Sequence, residues 1–199
     1  NRLSQLSGRR GLVNTNQDLL EKIEDIIQSV YRDRAVNPWE SGRMRSAHFE
    51  KLFRSRMQKW PLLNQTDLVY GGSTAIAFLL HPGHYIGVTT RDGIEVRMRR
   101  LGGICYQSLL EISHLGPFAR VRFTRETLET ESGVIVYEER ETPFRREDRE
   151  FLAELKEVLE EHEIEFIPVE ILDMPVPDVQ LDVTEPGDVT VYHCLFDEE

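Results

Sequence analysis

The amino-acid sequence predicts an α+β fold: a mostly antiparallel, twisted sheet of about six strands, covered by an N-terminal helix pair and one later long helix. Three observations carry this reading. Apolar residues recur at helical spacing in two stretches, Leu19, Leu20, Ile23, Ile26, Ile27 and Val30, and later Leu152, Leu155, Val158 and Leu159. Between them, segments such as Phe118 to Thr124 alternate, with Ala119, Val121 and Phe123 on one side and arginines on the other, the period of a half-exposed antiparallel strand. Turn-forming pairs, Asp92-Gly93 and Pro186-Gly187, punctuate the apolar runs.

In chain order, residues 1–15 are rich in Ser, Gly and Arg, show no period, and read as a flexible arm; residues 16–199 read as one α+β domain. Thr15 or Asn16 is the expected cap of the first helix, which Asn37-Pro38 ends. A second helix is expected from Ser46 to Trp60, with Phe49, Leu52, Phe53, Met57 and Trp60 on one side and Pro61 as its stop. These two form the helix pair. Thr66 to Leu80 reads as two short strands, or as strand, turn and a short helix capped by Ser73 or Thr74.

The clearest hairpin spans Tyr85 to Arg100. A three-residue loop with Gly93 in a bulge sets Val88 against Val96 and Ile86 against Met98, whereas a two-residue turn would mix apolar and charged side chains on one face. Leu101 to Leu115 fits a helix in its first half better than a strand. Gly133 to Arg140 is a strand. Thr142-Pro143 opens the long helix, from about Arg145 to His162, whose last turn carries Glu160, Glu161 and Glu163 against the macrodipole and so calls for packing or a cationic partner. Ile164 to Leu172 reads as an edge strand interrupted by Pro168. Val179, Leu181 and Val183 make a one-faced strand, and Val189 to Phe196 a central strand covered on both sides.

With 40% hydrophobic and 30% charged residues, the 199-residue chain has the composition of a soluble globular protein. Its longest apolar run, Ala75 to Leu80, is far short of the roughly 20 residues of a membrane span. Asn1 is not an initiator, so the start reads as trimmed, which leaves room for a removed targeting peptide. Cys105 and Cys194 are too few for a disulfide framework, and two free thiols in a reducing cytoplasm is the simpler reading. Charge is uneven. Residues 1–100 carry 16 Lys and Arg against 10 Asp and Glu, a net of +6, whereas residues 101–199 carry 8 against 25, a net of −17. The acidic half suits a basic protein partner; nucleic acid is disfavoured, although Arg43, Arg45, Arg54 and Arg56 could gather into a local basic patch.

Candidate chemistry is sparse. His81 and His84 have a spacing that can hold two imidazoles on one metal, but no Cys or carboxylate is placed to complete the site, so they read as turn histidines and no cofactor is expected. The stretch LGGICYQSLL, Leu101 to Leu110, loosely resembles the Gly-x-Cys helix start of papain-like and transglutaminase-like enzymes and the Gly-Gly-x-Cys of arylamine N-acetyltransferases. The resemblance implies Cys105 as a nucleophile in acyl transfer or hydrolysis, with His193 and Asp197 or Asp188 as the nearest partners; a buried structural cysteine is the competing reading. VYGGSTAIAFLL, Val69 to Leu80, resembles the Gly-Gly-Ser/Thr opening of nucleotidyltransferase-like domains, but Asp92 and Glu95 do not form the metal-binding D-x-D, which implies at most a degenerate, nucleotide-binding domain. Without a catalytic constellation, the expected function is a non-enzymatic binding or regulatory protein that uses its acidic C-terminal half for protein–protein interaction.

Overall fold

The computed structural model describes residues 7–34, 39–67, 72–81, 96, 98–129, 132–181, 184 and 187–196. Its elements in order are α1 (Ser7–Ile27) with a wider helical turn at Gln28–Arg32, α2 (Trp39–Arg56), β1 (Leu62–Asn64), β2 (Ser73–Leu79), β3 (Ile104–Ser113), β4 (Phe118–Leu128), β5 (Ile135–Arg140), α3 (Arg146–Glu161), β6 (Glu165–Phe166), α4 (Val169–Leu172) and α5 (Val191–Phe196). The predicted class holds. The sheet runs β1-β2-β3-β4-β5 with every neighbour antiparallel, and β6 adds parallel to β4 beside Phe118 and Ala119.

Register sorts the side chains into two faces, because successive strand residues point to opposite sides. One row runs Phe78, Ser108 and Phe123, another Ile76, Leu110 and Val121. On this face lie α2, through Phe53 and Met57, and α3, through Phe151, Leu155 and Val158. A second cluster joins α1 (Leu19, Ile23, Ile27) to Phe118, α4, α5 and the segment around Val176 and Val189. The helix pair is therefore corrected: α2 partners α3, while α1 packs with the C-terminal segment. Gly116 shows how tightly α1 sits, since a Cβ there would lie 2.7 Å from both Ile26 Cδ1 and the Phe118 ring.

Other expectations also change. The helix begins at Ser7, so residues 7–15 are helical where the glycines suggested an arm. α2 starts at Trp39 and ends at Arg56, short of Trp60, which lies in a turn. Val96, Met98, Arg99 and Arg100 are helical rather than strand, and Leu101 and Gly103 donate backbone hydrogen bonds to the Met98 carbonyl. The rest of the predicted hairpin, its bulge included, lies outside the described residues. Leu101 to Leu115 is mostly strand, since β3 is central in the sheet. Ser73 to Leu79 is strand as well, not a helix start. Pro143 precedes α3 instead of opening it; Arg145 occupies the cap, and its N–H donates to Asp148 Oδ2 at 3.0 Å. The edge strand after α3 is only two residues long, because Pro168 starts α4. Val189 to Phe196 is not a strand: Val191–Phe196 is helical, with the Thr190 N–H donating to His193 Nδ1 at 3.0 Å. Val179 and Leu181 are buried but not in a strand.

Candidate functional site

The residues singled out for chemistry do not meet. Cys105 sits on β3, 2% exposed, beside Met98 and Leu128. It is not at a helix N-terminus, so the dipole that would stabilise a thiolate is absent there. His193 caps α5 next to Tyr192, whose hydroxyl donates to Glu111 Oε1 at 3.2 Å. Glu111 is six residues along β3 from Cys105, roughly 20 Å of extended chain. Asp197 and His84 lie outside the described residues. Cys194 is buried in α5, and burial pushes its thiol pKa up to about 12. No disulfide joins the two cysteines.

His81 packs against Tyr106 with ring centroids 5.5 Å apart, on the face opposite Cys105. Arg145 lies over the same Tyr106 ring at 3.8 Å. His81 is held below the usual imidazole range, first by burial and then by the Arg145 cation. Among the described residues no three His, Cys, Asp or Glu side chains converge as a metal site requires. His48 and His162 do approach, ring centroids 6.4 Å apart, beside a cavity of about 270 Å³ that Arg45 also lines. Of the expected arginine patch, Arg54 pairs with Glu50, Arg56 with Glu161, and Arg45 donates to the His114 carbonyl; Arg43 lies outside the described side chains.

His114 is a buried structural group. Its Nε2 lies 3.1 Å from Thr74 Oγ1, and Thr74 is fully buried. Burial, and secondarily the Arg45 cation, lower its pKa. The folded chain therefore keeps this imidazole neutral where the unfolded chain would take a proton. Its contribution is fully present above the ordinary pKa of 6.5 and is lost as pH falls below it. Urea midpoints measured on either side of that pH should show the decline, and His114→Gln should flatten it; an equally steep decline in the variant would assign it elsewhere.

The concave feature that the C-terminal half builds is a groove centred on Phe166. After α3 the chain reverses at Glu163, a non-glycine residue with φ of 57°, and the Ile164 N–H donates to the Leu159 carbonyl. This turn lays Glu165 and Phe166 against β4, with the Glu165 and Ile167 N–H groups donating to the Pro117 and Ala119 carbonyls. Pro168 then turns the chain into α4. Phe166 is left half-buried between two cavities. One, of about 450 Å³, is walled by Leu19 and Lys22 of α1, Lys156 and Glu160 of α3, and Ile164. The other, of about 240 Å³, is walled by Val121, Leu152, Glu141 and Val169. Phe166, Lys156 and Pro168 line both, so the two cavities adjoin.

The electrostatics of the rim follow from which carboxylates are matched. Lys22 pairs with Glu165, Arg120 with Glu141 at 2.7 Å, and Lys156 Nζ lies 5.9 Å from the Phe166 ring centroid. Arg56 holds Glu161 by two hydrogen bonds, 2.6 and 2.8 Å, which lowers that carboxyl's pKa. This supplies part of the cation that the last turn of α3 calls for. Part of the charge asymmetry is thus internal: Lys22, Arg32, Arg56 and Lys59 of the first half pair with Glu165, Asp178, Glu161 and Glu150 of the second. Asp18, Glu157, Glu160, Glu163 and Glu170 are exposed and have no ion-pair partner among the described residues.

Sequence reading missed this groove because its pieces lie far apart in the chain, on α1, α3 and β6. The interruption of Ile164 to Leu172 by Pro168 was its one local signal. No helix among the described residues is long and apolar enough to cross a membrane. Comparison with known proteins finds no matching family model, no matching curated protein and no matching solved structure, so function rests on this chain's own geometry.

Proposed function

We propose that the chain is a non-enzymatic binding or regulatory protein, which takes a basic, extended segment of a partner protein in the groove across Phe166. The observation that carries this reading is the apolar floor at Phe166 beneath a rim where Asp18 and Glu160 are unmatched. Glu160 also stands at the negative end of α3, so a cation there relieves both the carboxylate and the helix end. An aromatic or aliphatic residue of the partner fits the cavities, and flanking Lys or Arg side chains meet the rim. Cys105 and Cys194, which no disulfide joins, fit a reducing cytoplasm as the place where this occurs.

The test is fluorescence anisotropy with a labelled Lys/Arg-rich peptide carrying one aromatic residue, against an acidic peptide of the same apolar content. The basic peptide should bind, and binding should weaken as salt rises toward about 1 M, where screening acts within about 3 Å. Phe166→Ala and Glu160→Lys should each weaken it by about tenfold, the equivalent of about 1.4 kcal/mol. Equal affinity for the acidic peptide, or indifference to both substitutions, would remove the reading.

A further inference from the structure

Among the described residues, three of the seven exposed large apolar side chains lie at or beside β5, one edge of the sheet. Val136 and Tyr137 are 45% and 62% exposed, and Val134, just before the strand, is 47% exposed. Ile104 joins them, because the register places Ile104, Thr127 and Val136 in one row on the same face. β5 pairs with β4 on one side, and no hydrogen bond among the described residues engages a second strand on its other side. An open, apolar edge of this kind is a template for another strand. Charge bears on which strand. The chain as a whole carries −11, but along β5 the carboxylates have cations beside them: Glu138 pairs with Arg125 and Glu139 with Arg122, and just beyond the strand Glu141 pairs with Arg120.

We propose that two copies of this chain pair antiparallel through β5, about a two-fold axis normal to the sheet, joining their sheets into one. Such an axis keeps each sheet face on its own side, so a residue must meet one of the same parity across the seam. Centring the axis on Val136 sets Val136 against itself and Ile135 against Tyr137, apolar on both faces. Centring it on Tyr137 would set Ile135 and Val136 against Glu139 and Glu138, and centring it on Ile135, the first residue of the strand, would pair only that residue within β5, so the first register is selected. A second copy fits better than a basic segment, because the β5 carboxylates Glu138 and Glu139 already have Arg125 and Arg122 beside them, so a cation gains little along the strand and another acidic copy meets less repulsion there. The pairing is independent of the groove at Phe166.

Sedimentation equilibrium of the full chain over a wide concentration range tests it. The expected result is a reversible rise from the 23.2 kDa monomer toward twice that mass. Val136→Lys puts two like charges on the axis and should stay monomeric at every concentration, with an unchanged far-ultraviolet circular dichroism spectrum. Should that variant misfold, cysteine pairs decide the matter. Val136→Cys should cross-link to a dimer on mild oxidation, whereas Arg140→Cys, which faces no β5 residue in this register, should not. A wild-type chain that stays monomeric throughout overturns the proposal. So does a folded Val136→Lys that dimerises like wild type, equal cross-linking at the two cysteine positions, or a monomer that captures only a foreign strand.

Discussion

Phe151→Ala should lower the unfolding free energy by about 3–5 kcal/mol, a loss in the upper range for truncation of one core side chain. Phe151 is fully buried on α3 and meets Phe78, Trp60 and Phe123, with ring centroids 5.0, 5.4 and 6.3 Å away. Those partners come from β2, the turn after α2, and β4, so this ring ties the layer formed by α2 and α3 to the sheet. Truncation removes the apolar burial and leaves a void that fixed neighbours cannot close. Urea unfolding with the slope held constant is the measurement. A loss under about 1 kcal/mol would mean that α3 is not packed on the sheet as described.

Asp148→Ala should cost about 2–4 kcal/mol, by a different mechanism. Asp148 is fully buried in the first turn of α3. It accepts the Arg145 N–H at 3.0 Å and the Arg145 guanidinium at 2.6 and 3.1 Å. That guanidinium also donates to the Leu80 carbonyl at 2.9 Å and lies over Tyr106, so one carboxylate holds the start of α3 against β2 and β3. Removing it leaves a half-buried cation and an uncapped N–H. Asp148→Asn, which keeps an acceptor but loses the charge, should lie between wild type and alanine. If asparagine costs as much as alanine, the charge carries the whole effect; if it costs nothing, the hydrogen bonds alone matter.

Much of the sheet was legible where one face is wet. Phe118 to Thr124 alternates and lies within β4, and the strand read over Gly133 to Arg140 is present from Ile135 as β5. The amphipathic stripes of α1 and α3 were equally plain, since each packs on one side only. β3 was misread because both its faces are covered: Leu109 and Leu110 are adjacent, which blurs a period of two. α5 was misread for the opposite reason. Its β-branched and aromatic residues favour a strand, yet Val191, Cys194 and Leu195 all enter one core and His193 caps the turn, so packing overrides propensity.

The sequence by itself determined the layers of this protein and the sign of its halves, because periodicity and charge are properties of neighbours along the chain. Only the tertiary structure decided which helices share a face, which carboxylates are matched, and that α1, α3 and β6 enclose a groove at Phe166. The reason is that a cavity and an ion pair depend on distances between residues more than a hundred positions apart, such as Lys22 and Glu165, and local pattern carries no record of them.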